Sequence, residues 1–310
     1  MGRKVKIASF AFNCGYLWGT PQEELIPVIL YKLATVQHEH PDLVILPESV
    51  LRCTGAEDRS HERELNQLLL EMMRQKAAEM KSYIILSGHE PVEEYPELLY
   101  NLATIIDREG KIVGKYRKVH NTVGELNERN ALPGKEYPVF DLDFGRIGIQ
   151  ICFDIDWREG WQKLADQGAE LVVWTAAYDG GTPLNVYAAY HRYHIATSVW
   201  SNHAKIIGIT GHTIAESSEY NGVALATIDL DTTLFHVDNQ FQKLEKVRAD
   251  LGEKITIRGF TQENIFTLTS HDDEWPISRI CETYGLVTFK DYHAEATAVQ
   301  EEYRKKYPTL

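Results

Sequence analysis

The chain of 310 residues is 44% hydrophobic and 25% charged, ordinary globular proportions that supply the core of one large domain and exclude bulk disorder. Its formal net charge of -13, with basic residues gathered only in short runs such as Lys115, Arg117 and Lys118, excludes a nucleic-acid footprint and favours solubility. No stretch approaches the roughly 20 consecutive apolar residues of a membrane span, and the N-terminus lacks the apolar segment and cleavage site of a secretory signal, so the expectation is a cytoplasmic protein with neither membrane nor nucleic-acid partner.

Short β-branched runs at 6–12, 43–47, 83–88, 102–107 and 111–116 predict strands. Between them, 22–38 and 61–81 are amphipathic and predict helices; in the second, Leu65, Leu68, Leu69 and Met72 recur at helical spacing. The segment Asp107–Lys111 reads DREGK, and its Gly110 suits a tight turn between two hairpin strands, so the sheet is expected to be mixed. Further strands are predicted at 146–152, 170–177, 204–211 and 222–230, with helices near 157–167 and 184–198. The alternation gives an α/β fold over about residues 1–250, ending in a charged helix at 240–250. Residues 251–310 are expected to form a C-terminal extension packed on that domain or on a partner subunit.

The four cysteines, Cys14, Cys53, Cys152 and Cys281, have no pair spacing that signals a zinc site or a disulfide framework. Cys14, Cys53 and Cys281 are read as small buried hydrophobes. Cys152 differs, because it ends a strand whose Ile147, Ile149 and Ile151 share one face, and the chain then turns through Phe153–Asp156 into a helix. A thiol on such an elbow stands above the sheet edge, and the N–H groups after it face a developing oxyanion. Glu48 stands after Pro47 at the carboxyl edge of an apolar strand, the edge where open α/β sheets bind ligands. Alternation from Lys115 puts Arg117 on its face and Tyr116 with Lys118 on the other. A lysine there would depress the thiol's pKa and hold an oxyanion by charge. Taken singly, each residue also fits a bland role: a core cysteine, a solvated strand-end glutamate, a basic sheet edge.

The ordered set LPES (46–49), GKYRKVH (114–120) and ICFD (151–154) resembles the nitrilase superfamily, the carbon-nitrogen hydrolases, across roughly the first 230 residues. The resemblance implies an α-β-β-α sandwich with mixed sheets, a homodimer or higher homo-oligomer, and no cofactor. It implies a triad of Glu48 as general base, Lys118 as stabiliser of the tetrahedral intermediate and Cys152 as nucleophile. Many members add a second glutamate before a Pro-Gly turn, and GELNERNALPG (124–134) offers Glu125 and Glu128. Glu128 is preferred, because the Asn127–Glu128 pair lies five residues before Pro133.

Phe153–Asp154 stands where true nitrilases carry Trp-Glu, which looks like the amidase and carbamoylase branches and implies a small amide or N-carbamoyl substrate. Nitrile hydrolysis and a catalytically silent scaffold are the alternatives. Two departures qualify the match: Asp156 stands where amidase-like members carry Arg, and HRYHIAT (191–197) replaces the usual Ala-Ile-Glu-Asn element. Phe153, through its backbone N–H, and Tyr178, through its ring, are the expected substrate contacts. A metal site is not expected: His191 and His194 could share a helical face, with His203 and His212 beyond, but no clear third ligand accompanies them.

Overall fold

The apolar runs become strands and the amphipathic stretches become helices in a computed structural model that describes residues 2–13, 17, 20–51 and 59–308. In chain order, β1 (Lys4–Phe10), α1 (Gln22–Val36), β2 (Leu43–Ile45), α2 (Arg59–Met80), β3 (Tyr83–Val92), β4 (Tyr95–Ile106) and β5 (Ile112–Arg117) build the first half. There follow α3 (Val123–Asn127), β6 (Val139–Asp141), β7 (Arg146–Ile151), α4 (Arg158–Asp166), β8 (Leu171–Ala176), α5 (Thr182–His191), β9 (His194–Val199), β10 (Lys205–Ile207), β11 (Thr213–Glu216) and β12 (Val223–Asp229). The last part holds β13 (Thr233–His236), α6 (Phe241–Leu251), β14 (Ile255–Phe260), β15 (Ile265–Ser270), α7 (Ile277–Tyr284) and α8 (Phe289–Lys306).

The chain divides into two compact units, one of Val5–Ile228 and one of the residues before and after it. In the larger unit, two six-stranded sheets run in the orders β12-β1-β2-β3-β4-β5 and β11-β10-β9-β8-β7-β6. Both are mixed: β1, β2 and β3 pair in parallel and β3, β4 and β5 antiparallel, while β7, β8 and β9 pair in parallel between antiparallel neighbours. The expected DREGK turn closes β4 onto β5, with Gly110 at φ 79° and Asp107 N–H donating to Lys111 O at 2.8 Å.

Small hydroxyl residues knit the two sheets face to face. Ser9 Oγ donates to Thr197 O at 2.6 Å, Ser198 Oγ to Phe10 O at 2.7 Å, and Ser87 Oγ meets Thr175 Oγ1 at 2.9 Å, all buried. Each polar group is thereby satisfied in a layer where an unpaired one would cost about 1–3 kcal/mol. The outer faces are covered by helices. Leu25, Ile29, Leu33 and Val36 of α1 and Leu65, Leu69, Met73 and Ala77 of α2 recur every three or four residues and pack with Ala8, Phe10, Val44 and Ile84. Leu68, read with this stripe from the sequence, faces out at 50% exposure. On the other sheet, Trp161 and Leu164 of α4 and Leu184 and Ala188 of α5 are wholly buried. Helix, sheet, sheet and helix make the α-β-β-α sandwich.

One predicted boundary is corrected. The helix expected near 184–198 ends at His191, where Arg192 takes a left-handed φ of 62°, and His194–Val199 is a fully buried strand. His191 and His194 therefore do not share a helical face. Short apolar runs such as HIATSV do not declare their period, and pairing with β8 and β10 decides it.

The smaller unit carries an antiparallel sheet in the order β13-β15-β14. Phe235 and Phe266 stack at 4.9 Å on its face, and Val247 and Leu251 of α6, Ile280 of α7 and Leu286 complete their cluster. The charged helix expected at 240–250 thus contributes its buried side chains here.

Candidate active site

Three strand ends bring the site together, and each is stopped for a local reason. The wholly buried β2 ends at Leu46 and Pro47, whose ring removes the next ladder donor. Glu48 follows at 7% exposure, and Ser49 turns the chain at a φ of 43°. The Trp200 indole N–H donates to Glu48 O at 2.7 Å and fixes that turn.

At the end of β5 the alternation behaves as the sequence predicts. Lys115 and Arg117 face outward and both pair with Glu90, whereas Tyr116 and Lys118 are buried. Lys118 N–H donates to Asn101 O at 2.8 Å, which continues the ladder by one residue. Its ammonium donates to Glu48 Oε1 at 2.8 Å and to both Glu125 oxygens at 2.9 Å. Asn101 Nδ2, on neighbouring β4, donates to Glu48 Oε1 and to Glu125 Oε1, each at 2.8 Å. A buried ammonium costs several kcal/mol unless it is paired. Here burial does work against the charge, but Glu48, Cys152 and Glu125 more than offset it, and Lys118 is held well above the ordinary lysine range.

Cys152 follows β7 at a φ of 48°, a left-handed conformation that side chains other than glycine adopt at a cost. What stabilises it is Asp154, two residues on and completely buried. Its carboxylate accepts from Ile151 N–H at 2.9 Å, Tyr116 hydroxyl at 2.7 Å and His120 N–H at 2.9 Å, with His120 Nδ1 at 3.0 Å. His120 in turn stacks on Trp157 at 4.1 Å. The acid that the sequence placed beside the thiol thus ties the Cys152 turn to the end of β5. Trp174 Nε1–H donates to Cys152 O at 3.2 Å.

The thiol shares the cavity with Glu48, Lys118 and Ala177. Burial first, and the Glu48 carboxylate second, push its pKa well above the ordinary thiol range, against the opposing pull of Lys118. Lys118 does pull the thiol down, as expected, but burial and Glu48 outweigh it. Burial and the Glu48 carboxylate together favour the protonated thiol.

Cys152, Glu48, Lys118, Asn101, Ser49 and Glu125 line one cavity of about 230 Å³. The two candidate glutamates are placed differently. Glu128 lies at the same cavity but is exposed, whereas Glu125 grips Lys118. The reason is a capping box at the start of α3. Thr122 Oγ1 accepts from Glu125 N–H at 3.2 Å, and Glu125 Oε2 accepts from Thr122 N–H at 2.8 Å, so the carboxylate is aimed before it meets the lysine. Burial opposes its charge, but Lys118 and Thr122 hold the Glu125 carboxyl below the usual carboxylate range. The T-x-x-E spacing of Thr122 and Glu125 was a readable signal for this choice; Asn101 and Ser49 had none.

Of the expected substrate contacts, Tyr178 is 43% exposed and its ring meets Trp174 edge-on. Burial raises the Tyr178 phenol to about 12, with Cys152, Asp156 and Glu48 adding to it, and Tyr178 is not among the cavity-lining residues. Phe153 packs edge-on against Trp157 at 4.9 Å and is not among the cavity-lining residues. Cys281 is half-buried against the cluster of the smaller unit, and Cys14 and Cys53 lie outside the described residues.

Known proteins share the family profile and the fold. A sequence profile of the carbon-nitrogen hydrolase family matches residues 23–234. The chain is 27% identical to the omega-amidase NIT2-B of Xenopus laevis, over 64% of this chain and 74% of that one. It is also 27% identical to the deaminated glutathione amidase of Mus musculus, over 61% and 68%. Among solved structures, an amidase from Nesterenkonia sp. shares the fold with a TM-score of 0.63 at 18% identity, covering 78% of this chain and 96% of that one. A further structure of the Nesterenkonia sp. AN1 amidase, with a TM-score of 0.62 at 16% identity over 73% and 90% of the two chains, has the acetamide moiety of fluoroacetamide added covalently at its active site cysteine. With the sandwich, the ordered motifs and the matched profile in agreement, the chain belongs to the carbon-nitrogen hydrolase family, within the nitrilase superfamily.

Proposed function

We propose that this protein hydrolyses a small amide or N-carbamoyl compound through an acyl-enzyme on Cys152. In the first step the thiol proton passes to Glu48 and the sulfur attacks the substrate carbonyl carbon. The carbonyl electron pair moves to oxygen, where the Lys118 ammonium and backbone N–H groups of the Cys152 turn meet it. As the tetrahedral intermediate collapses, the carbon-nitrogen bond breaks, and Glu48 returns the proton to the departing nitrogen. A water then gives a proton to Glu48 and attacks the thioester, the carbon-sulfur bond breaks, and the thiol is restored with the acid product.

The observation that supports this reading is the meeting of Glu48, Lys118 and Cys152 at one small cavity, with Glu48 Oε1 held by Lys118 and Asn101. Glu125 keeps Lys118 charged and in place. The amidase relatives favour amides over nitriles. A panel of amides, N-carbamoyl amino acids and nitriles, read as ammonia release, tests the substrate class. Cys152→Ala is expected to lower turnover by about 10⁴-fold or more with the fold retained. Unchanged turnover in that variant refutes the nucleophile, and turnover of nitriles alone refutes the amide reading.

A further inference from the structure

One chain of buried polar groups beside the cavity has no part in the mechanism above. Ser49 lines the cavity with Glu48 and Cys152, and its Oγ lies 3.3 Å from His89 Nε2. His89 Nδ1 lies 3.1 Å from Glu62 Oε1, and both side chains are nearly buried, at 7% and 11% exposure. In the register of β3 and β4, His89 stands directly opposite Asn101, so its side chain shares the sheet face of the amide that clamps Glu48. Three elements therefore converge on one hydroxyl: the β2 end, β3 and α2.

With Glu62 ionised and His89 neutral, the hydrogen inventory sets what that hydroxyl offers. An ionised carboxylate only accepts, so the proton between Glu62 and His89 sits on Nδ1. In the neutral imidazole Nε2 then carries none and accepts, and the single Ser49 proton is spent on it. Toward the cavity Ser49 Oγ has lone pairs alone. An amide brings the complementary group: its carbonyl oxygen takes donors, and its nitrogen carries N–H groups that need acceptors. An ester of the same acyl group puts an oxygen lone pair where the amide has a donor, and a site built for a donor rejects the analogue that lacks it.

Resting on the proposed amide hydrolysis, we propose that Ser49, oriented by His89 and Glu62, is the specificity-determining acceptor for the amide N–H of the substrate. The assay compares kcat/KM for a primary amide and the methyl ester of the same small acyl group, at about pH 8, above the ordinary imidazole range. Ser49→Ala removes the hydroxyl, and Ser49→Gly removes it while suiting the positive φ of 43° at this position. Both variants are expected to lower the amide-to-ester ratio by about tenfold, the loss falling on the amide. A merely structural defect lowers both substrates alike and leaves the ratio within about twofold of wild type; that result in both variants overturns the assignment while leaving amide hydrolysis intact. A wild-type enzyme that turns over neither compound refutes the amide reading itself, and this inference with it.

Discussion

The two turns that carry Glu48 and Cys152 solve the same problem with different parts. Each follows a buried parallel strand and needs a residue other than glycine at positive φ, Ser49 at 43° and Cys152 at 48°. In each, a tryptophan indole N–H holds the backbone carbonyl, Trp200 on Glu48 and Trp174 on Cys152. Behind each stands an imidazole on a carboxylate, His89 with Glu62 and His120 with Asp154. The difference lies in where the carboxylate comes from. Asp154 is inside the Cys152 turn and bonds its backbone directly, whereas Glu62 comes from α2 and reaches Ser49 through His89. A turn braced from within is rigid by itself; one braced through a side-chain relay has a hydroxyl whose hydrogen-bonding sense depends on the relay.

Removing the internal brace has the largest consequence. Asp154→Ala strands the Tyr116 hydroxyl and the Ile151 and His120 N–H groups in a buried layer. The expected cost is about 3–5 kcal/mol of unfolding free energy, read from urea denaturation, with turnover falling as the Cys152 turn relaxes. Asp154→Asn keeps an acceptor and is expected to lose about half as much. An unchanged urea midpoint in Asp154→Ala contradicts the bracing role.

The same contrast explains what the sequence disclosed. ICFD and LPES are contiguous, so the Cys152 and Glu48 turns, and Asp154 beside the thiol, were legible as local patterns. Lys118 was legible because strand alternation separates it from Arg117. The relay was not: Asn101 reaches Glu48 across 53 positions and Glu62 meets His89 across 27, contacts that only pairing of β3, β4 and the β2 end creates. The Glu125–Lys118 contact was hidden for a different reason. Position relative to Pro133 was given more weight than the helix-capping spacing of Thr122 and Glu125, and the cap is what aims the carboxylate. In the C-terminal part, no strand was read at β14 or β15, because their short apolar runs acquire a face only when paired in register, as Phe266 of β15 does with Phe235.

Lys118 stands between the two turns, and its own brace offers a sharper test than either. Glu125→Gln removes one of its two carboxylates, with about a 10²-fold loss of kcat expected; Glu128→Gln, on an exposed side chain, is expected to stay within about threefold. Equal losses in the two variants contradict the distinction. The folded-state pKa of Glu125 is depressed, so its stability contribution is present above the unfolded value and is lost as pH falls through the folded one. Between about pH 6 and about pH 3, wild type is therefore expected to lose more urea stability than Glu125→Gln. Parallel stability curves exclude a depressed Glu125 carboxyl.

The smallest expected effect on stability is the most informative about the relay. Glu62→Leu acts behind His89, away from the cavity-lining residues, and is expected to cost about 1–2 kcal/mol in urea denaturation. Without the carboxylate, nothing at this bond keeps the imidazole proton on Nδ1, and His89 is free to present N–H at Nε2 to Ser49. The serine proton is then released toward the cavity, and an acceptor becomes a donor. The amide-to-ester ratio should fall in this variant although Ser49 itself is untouched, whereas the Asp154→Asn substitution at the other turn should lower both substrates together. If Glu62→Leu keeps the wild-type ratio while Ser49→Gly loses it, the hydroxyl selects the amide without help from the relay, and the two turns differ less than their wiring suggests.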